Sequence, residues 1–117
     1  MSAAIKISII IRTLNEQRWL YRTLKGLENQ KDTNGLPLDL ETIVVDTGSE
    51  DRTTDIAEHF SNVIVHYYTE KEYFPGRAIN FGLSKCTGKY IVILSAHCVP
   101  CDEYSIFRLV QSIISNH

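Results

Sequence analysis

The sequence predicts an α/β protein, a three-layer αβα arrangement around a mostly parallel, doubly wound sheet. Three observations predict it. Short β-branched runs alternate with stretches of helical periodicity, in the order β-α-β-α-β-α-β-α. The runs are apolar nearly throughout, which is how strands covered on both faces read. Each run stops abruptly in small or polar residues, where open sheets of this class form their ligand crevice.

Residues 5–11 (IKISIII) are the first expected strand, and RTLNE at 12–16 breaks the run. Trp19, Leu20, Thr23, Leu24 and Leu27 then recur at helical spacing, so a helix is expected over 16–30. Glu16 in its first turn and Lys25 nearer its end suit the helix dipole. Residues 31–39 are turn-rich, punctuated by Asn34-Gly35 and Pro37. A second strand is expected over 40–45 (LETIVV), running into Asp46-Thr47-Gly48-Ser49. A short helix follows over 51–60, with Ile56, Ala57 and Phe60 as its inner stripe. Residues 63–67 read as a third strand and 68–75 as a polar, aromatic connection. A helix over 76–85 offers Ala78, Ile79 and Leu83 for packing. Cys86-Thr87-Gly88 turns the chain into a fourth strand, 90–94. The last helix begins near Asp102, with Ile106, Leu109, Val110, Ile113 and Ile114 on one helical stripe.

Bulk properties narrow the class. A chain of 117 residues fits one domain with one real core. Composition, 44% hydrophobic and 22% charged, is that of an ordinary globular domain. A net charge of −2 with no basic cluster argues against nucleic-acid binding. No apolar run approaches the roughly 20 residues of a transmembrane helix, and the N-terminus lacks a signal-peptide pattern. Three cysteines, an odd number, argue for a reducing and hence cytoplasmic setting over a disulfide framework.

Four loops follow strand ends: 12–16, 46–49, 68–77 and 95–101. Asp46 closes an unbroken apolar strand and can accept hydrogen bonds from a nucleobase or a ribose, and Gly48 lets a ligand approach the backbone. Equally, Asp46 and Ser49 can serve only to cap the next helix. Arg77 at a helix start matches phosphate geometry, or is a solvated surface residue. Asn80 follows on the same helix, where Asn is usually exposed or bonded to its own backbone. Gly82 suits close helix–sheet packing. His97 is a metal-ligand candidate. Cys98 and Cys101 form a Cys-x-x-Cys pair, read as a redox pair, as part of an irregular metal site short of four ligands, or as small packing residues.

Together these loops resemble the nucleotide-binding half of the family-2, GT-A-type inverting glycosyltransferases, whose sheet is Rossmann-like. The family's Pro-Thr-Tyr-Asn-like motif is met by Arg12-Thr13-Leu14-Asn15-Glu16. Its Val-Asp-Asp-Gly-Ser, followed by Thr-Asp-like residues, is met by Val45-Asp46-Thr47-Gly48-Ser49-Glu50-Asp51-Arg52-Thr53. Its Asn-x-Gly helix and Gly-x-Tyr-Ile-x-Phe-Leu strand are met by Asn80-Phe81-Gly82 and by Gly88-Lys89-Tyr90-Ile91-Val92-Ile93-Leu94. The resemblance covers nearly the whole chain, in order and with ordinary spacing.

The resemblance implies a donor-binding domain for a nucleotide-diphosphate sugar, serving transfer to a glycan or lipid-linked acceptor in polysaccharide or glycan synthesis. Thr13, Asn15, Glu16 and Asp46 would line the base and ribose pocket, with Gly48 and Ser49 in the same loop. Arg77 would approach the nucleotide, and Asn80 and Ser95 complete the set. The family's Asp-x-Asp after the fourth strand holds the diphosphate through Mg²⁺ or Mn²⁺. Here Ser95-Ala96-His97 stands in its place, which leaves two readings: His97 ligates Mn²⁺ through its imidazole, or an imidazolium or a Lys/Arg neutralises the diphosphate instead. Thr47 replaces the family's second Asp. The catalytic base comes later in the family, and no residue of this chain carries it by resemblance. Residues 1–117 are therefore expected to be one donor-binding domain, the truncated N-terminal part of a longer enzyme and inactive alone. Two further readings stand beside this one. One is a non-catalytic α/β module, self-associating as a homo-oligomer through a bare sheet edge. The other is a thiol-redox or metal protein using Cys98 and Cys101.

Overall fold

A computed structural model of the chain describes residues 5–69 and 75–115. Its elements are β1 (Lys6–Thr13), α1 (Leu20–Glu28), β2 (Asp39–Asp46), α2 (Thr53–Glu58), β3 (Val63–Tyr67), α3 (Pro75–Leu83), β4 (Tyr90–Ser95) and α4 (Ser105–Ser115). The four strands are all parallel and lie in the order β3-β2-β1-β4. The α/β alternation read from the sequence is the architecture found.

The register explains why the central strands are apolar on both faces. Ile9 of β1 lies beside Val92 of β4, and Ile10 beside Ile43 of β2, so neighbouring positions feed opposite faces. On one face Ile7, Ile9, Ile11, Val44 and Val92 meet Leu20, Leu24 and Leu27 of α1, Ala57 of α2 and Ile106 and Val110 of α4. On the other, Ile10, Ile43 and Val45 meet Ala78 of α3. Each such buried aliphatic side chain stabilises the fold by about 1.5–3 kcal/mol relative to exposure. α3 packs this closely because Gly82 has no side chain: a Cβ there would lie 2.9 Å from Ile10 Cγ2 and 3.1 Å from Val45 Cγ2. β4 is an edge strand, as β3 is on the other side, and its Ile91 and Ile93 are exposed on the α3 face.

Element boundaries shift where tertiary hydrogen bonds override local preference. β1 runs on to Thr13, past the expected break at Arg12. α1 begins at Leu20 instead of Glu16. Asn15 adopts a left-handed backbone, φ 53°. The Glu16 amide donates to Thr53 Oγ1 (2.8 Å) and the Gln17 amide to Asp51 Oδ2 (3.3 Å), which ties this stretch to the chain at the start of α2. Glu16 therefore sits ahead of α1, whose first turn has no acidic residue, while Lys25 does lie in its last turn. α2 starts at Thr53, after Asp51 Oδ1 accepts the Thr53 amide. α4 starts at Ser105, after a turn in which Asp102 Oδ1 accepts the Tyr104 amide at 2.8 Å. Within the expected α4 stripe, Ile106 and Val110 are buried, but Leu109, Ile113 and Ile114 are exposed.

The end of the sheet where the strands begin is stapled by Glu41 on β2. Its carboxylate accepts from Ser8 Oγ (2.8 Å), the Thr87 amide (2.9 Å) and Thr87 Oγ1 (2.8 Å), and pairs with Lys6 Nζ at 3.2 Å. This ties the turn before β4 to β1 and β2. Gly88 completes the turn, because a Cβ there would lie 2.6 Å from the Ser8 amide nitrogen.

Candidate functional site

The chain moves from β1 through β2 to β3 on one side, then crosses to β4 on the other side of β1. The point of reversal lies between β1 and β4, and the crevice beyond the carboxyl ends of these strands is where such sheets bind ligands. Three of the four candidate loops are described at this edge. In the fourth, residues 70–74 lie outside the described residues.

Asp46 ends β2 and organises the β1–β2 side of the crevice. Its carboxylate is 2% exposed. Oδ1 accepts from Thr13 Oγ1 (2.7 Å) and Ser49 Oγ (2.6 Å), and Oδ2 from the amides of Gly48 (3.1 Å) and Ser49 (2.9 Å). Four donors on one carboxylate satisfy its lone pairs, which is what its burial demands. Gly48 has φ 114°, a conformation only glycine takes freely. The loop after β1 is tied to the same group. The Asn15 amide donates to Ser49 Oγ at 2.8 Å, and Asn15 Oδ1 accepts the Glu50 amide at 2.8 Å. Thr47 donates through both its amide (3.0 Å) and its hydroxyl (2.9 Å) to the Thr13 carbonyl. Thr13, Asn15, Asp46, Gly48 and Ser49 are thus brought into one network. Asp46 and Ser49 do not cap α2, whose N-cap is Arg52 with no side-chain cap bond.

The β4 side is built differently. Ala96 is buried, and its carbonyl accepts Thr23 Oγ1 at 2.6 Å, which docks the loop on α1. The Cys98 amide donates to the Ser95 carbonyl at 3.0 Å, so the chain turns sharply after β4. Ser95 and His97 face solvent. One side-chain contact crosses the crevice between these loops: His97 Nδ1 lies 3.0 Å from Glu16 Oε2. The His97 side chain is 57% exposed and that of Glu16 17%.

Arg77 and Asn80 stand near one another on α3, over the opposite sheet face, and both are exposed. Cys86, Cys98 and Cys101 are free cysteines. Burial pushes the Cys86 thiol up from its ordinary pKa. Cys101 lies four residues ahead of α4, so the helix-start setting expected for a redox pair does not form. Gln17 is not marked by any sequence pattern, and Asp51 and Thr53 are marked only as the tail of the motif after β2. They lock the loop after β1 to the loop before α2, and their tie spans more than thirty positions, with no local pattern to announce it. The Glu16–His97 contact, between residues 81 positions apart, is equally invisible to spacing.

Among the described residues, no pair of carboxylates is free for Mg²⁺ at this edge. Residues 95–98 carry none, and the oxygens of Asp46 and Asp51 are taken by protein donors. No cluster of three or more His, Cys, Asp or Glu side chains able to hold an ion exists among the described residues. What fits is a single-nitrogen ligand. His97 Nδ1 lies against Glu16 Oε2, which leaves Nε2 as the other ring nitrogen. Metal-binding imidazoles are usually held this way, with the far nitrogen donating to a carboxylate. No helix among the described residues is long and apolar enough to cross a membrane.

Known proteins share the family and the fold. The model of glycosyl transferase family 2 matches residues 8–117. A PGL/p-HBAD biosynthesis glycosyltransferase of Mycobacterium bovis BCG is 36% identical over 120 residues, covering 98% of this chain and 44% of that protein. Residues 1–349 of S. aureus TarS, in complex with UDP-GlcNAc, superpose with a TM-score of 0.74 at 21% identity, covering 97% of this chain and 32% of that one. The mannosyltransferase PcManGT of Pyrobaculum calidifontis, in complex with GDP-Man and Mn²⁺, gives 0.68 at 24% identity, over 87% and 30%. At these identities the two structures establish the fold. The chain spans less than half the length of each of these three proteins.

Proposed function

The chain belongs to glycosyl transferase family 2, and from that premise we propose that its crevice binds a nucleoside-diphosphate sugar as donor for transfer to an acceptor hydroxyl. The observation that carries this reading is the buried Asp46 network at the carboxyl edge of the sheet. A four-bonded carboxylate fixes the loops on both sides of it before any ligand arrives, so little ordering entropy remains to be lost on binding. Asp46 then acts by shaping the pocket, with Thr13 and Ser49 held against it. Asn15, Glu16 and Gly48 offer the ligand their surfaces toward base and ribose. The resemblance assigns Ser95, Arg77 and Asn80 to the nucleotide-sugar as well, with Arg77 and Asn80 reaching it from α3. A guanidinium such as Arg77 suits a diphosphate because its donor fork matches phosphate oxygens. A divalent ion, where bound, would be held by His97 Nε2 and would neutralise the diphosphate.

In the transfer itself the acceptor oxygen bonds to the anomeric carbon as the bond to the diphosphate breaks. The electron pair leaves with the nucleoside diphosphate, and the acceptor proton passes to a general base. That base is assigned to no residue of residues 1–117, which we read as one donor-binding domain of a longer cytoplasmic enzyme. The mycobacterial relative's role in PGL/p-HBAD biosynthesis favours a glycan or lipid-linked acceptor. Calorimetry with UDP, GDP and dTDP sugars in the presence of Mn²⁺ tests the reading. Saturable binding of at least one is expected, and a folded sample that binds none would overturn it.

A further inference from the structure

We propose that the groove between α1 and α2, together with the exposed face of α1, docks the protein on an anionic phospholipid surface, with a headgroup phosphate seated between Arg18 and Arg52. The groove holds about 840 Å³, within the size range of small-molecule sites. Its lining is exposed except for the half-buried Ile56. Tyr21 and Ile56 make it partly apolar, and Arg18, Arg52 and His59 bring nitrogen donors from both helices. The Tyr21 ring lies 5.5 Å from that of Phe60, which anchors the α1 side. The carboxylate in the lining is Asp55, 3.9 Å from Arg52 Nε, with the two side chains 67% and 79% exposed. A pair so open is weak, and a phosphate, which takes guanidinium donors in pairs, displaces it. Arg18 and Arg22 are paired with no carboxylate among the described residues. Each guanidinium lies 5.5 Å from the centre of the Trp19 ring.

Two observations favour a surface over a small dissolved ligand. The row of cations runs on past the groove: Arg18, Arg22 and Lys25 recur at helical spacing and are exposed. Lys25 is partnered by Glu28 at 2.9 Å. Trp19, flanked by two guanidiniums, combines an apolar body with cationic neighbours, the composition that suits the boundary between lipid and water. No run of the sequence is basic, and the chain carries a net charge of −2, so the face is a product of packing α1 against α2. The groove also shares a wall with the crevice. The Gln17 amide donates to Asp51 Oδ2 (3.3 Å), and Gln17 Oε1 accepts the Arg52 amide (3.1 Å). Docking here sets the crevice beside the lipid surface. The inference stands apart from the donor-binding reading.

Trp19 is the one tryptophan of the chain, so its fluorescence reports docking at this face directly. The test titrates the full chain with vesicles of phosphatidylglycerol mixed with phosphatidylcholine, and of phosphatidylcholine alone. The mixed vesicles are expected to give a saturable blue shift and to carry the protein down on sedimentation, and the neutral ones to do neither. Arg18→Gln, Arg22→Gln and Arg52→Gln each weaken vesicle binding about fivefold, and about 1 M salt weakens it further. Lys85→Gln, just past α3 on the opposite face of the sheet, removes the same charge and leaves binding unchanged. Unchanged circular dichroism of each variant separates these effects from misfolding. No binding to the mixed vesicles, equal binding to the neutral ones, or an equal loss in Lys85→Gln would each overturn the proposal. So would inorganic phosphate that reproduces the Trp19 shift, or polyglutamate bound as tightly as the vesicles, which would make this a site for a free anion or an acidic protein. UDP affinity is expected to be the same in Arg18→Gln as in the parent chain, so failure at this face leaves the donor-binding reading intact.

Discussion

Strand β2 carries a carboxylate near each end, and the two are used in opposite ways. Glu41 lies where the strands begin, and Asp46 where they end. Each accepts several protein hydrogen bonds. Glu41 gathers Ser8, Thr87 and the cation Lys6, all from chain that must turn back into the sheet. Asp46 gathers only neutral donors, and all of them belong to the loops that border the crevice. Burial pushes the Glu41 carboxyl up, but the bonds from Thr87, Ser8 and Lys6 outweigh it and hold the group down at about 2. The same device, a saturated carboxylate, thus closes one end of the sheet as a staple and shapes the other as a binding edge. The sheet's geometry decides which is which, since ligands bind at the carboxyl ends of parallel strands.

The comparison can be broken at either end. The largest effect is expected from Asp46→Ala, which strands two hydroxyls and two amides. It costs about 3 kcal/mol of stability in a denaturant melt and lowers UDP affinity by about 100-fold or more by calorimetry. Gly88→Ala strikes the opposite end, driving a Cβ to within 2.6 Å of the Ser8 amide nitrogen. It costs about 2–3 kcal/mol, yet the protein that still folds binds UDP as before. Glu41→Gln costs about 1–2 kcal/mol at neutral pH, again without touching nucleotide affinity. It also changes the acid limb. The folded carboxyl titrates at about 2 and the unfolded one near 4.5. The unfolded chain therefore takes up its proton first, and this contribution is full above pH 4.5 and lost as pH falls toward 2. Urea melts from pH 5 downward should show the variant losing stability less steeply. Thr23→Val is the mildest, removing the 2.6 Å bond to the Ala96 carbonyl for about 1 kcal/mol. Its sign is faster amide exchange at Cys98, in the turn that carries His97.

What the sequence made legible was decided by local chemistry. The β-branched runs of β1 and β2 could be read because residues 9–11 and 43–45 are buried on both faces, and β4 was legible from its apolar run although Ile91 and Ile93 are exposed. Asp46 stood out because it ends such a run. Gly82 could be read as a packing glycine from its place on an otherwise apolar helix face, and the 2.9 Å clearance to Ile10 agrees. Glu16 was misplaced for a physical reason. Residues 16–19 suit a helix by composition, but they form a turn in which the Glu16 carbonyl accepts the Trp19 and Leu20 amides, and α1 proper starts at Leu20. The start of α4 was misjudged in the same way, because Asp102 forms a turn of its own. Contacts such as Glu16 with His97 are products of strand order, and no spacing rule within one chain can reach them.

Nucleotide titration followed by amide chemical shifts asks the central question most directly, because it sees both ends of the sheet at once. With UDP added, the amides of Asn15, Glu16, Thr47, Gly48, Ser49 and His97 should move, while those of Glu41, Thr87 and Gly88 stay in place. Shifts confined to the Glu41 end, or a folded protein in which no amide moves, would contradict the assignment of the Asp46 edge as the donor site.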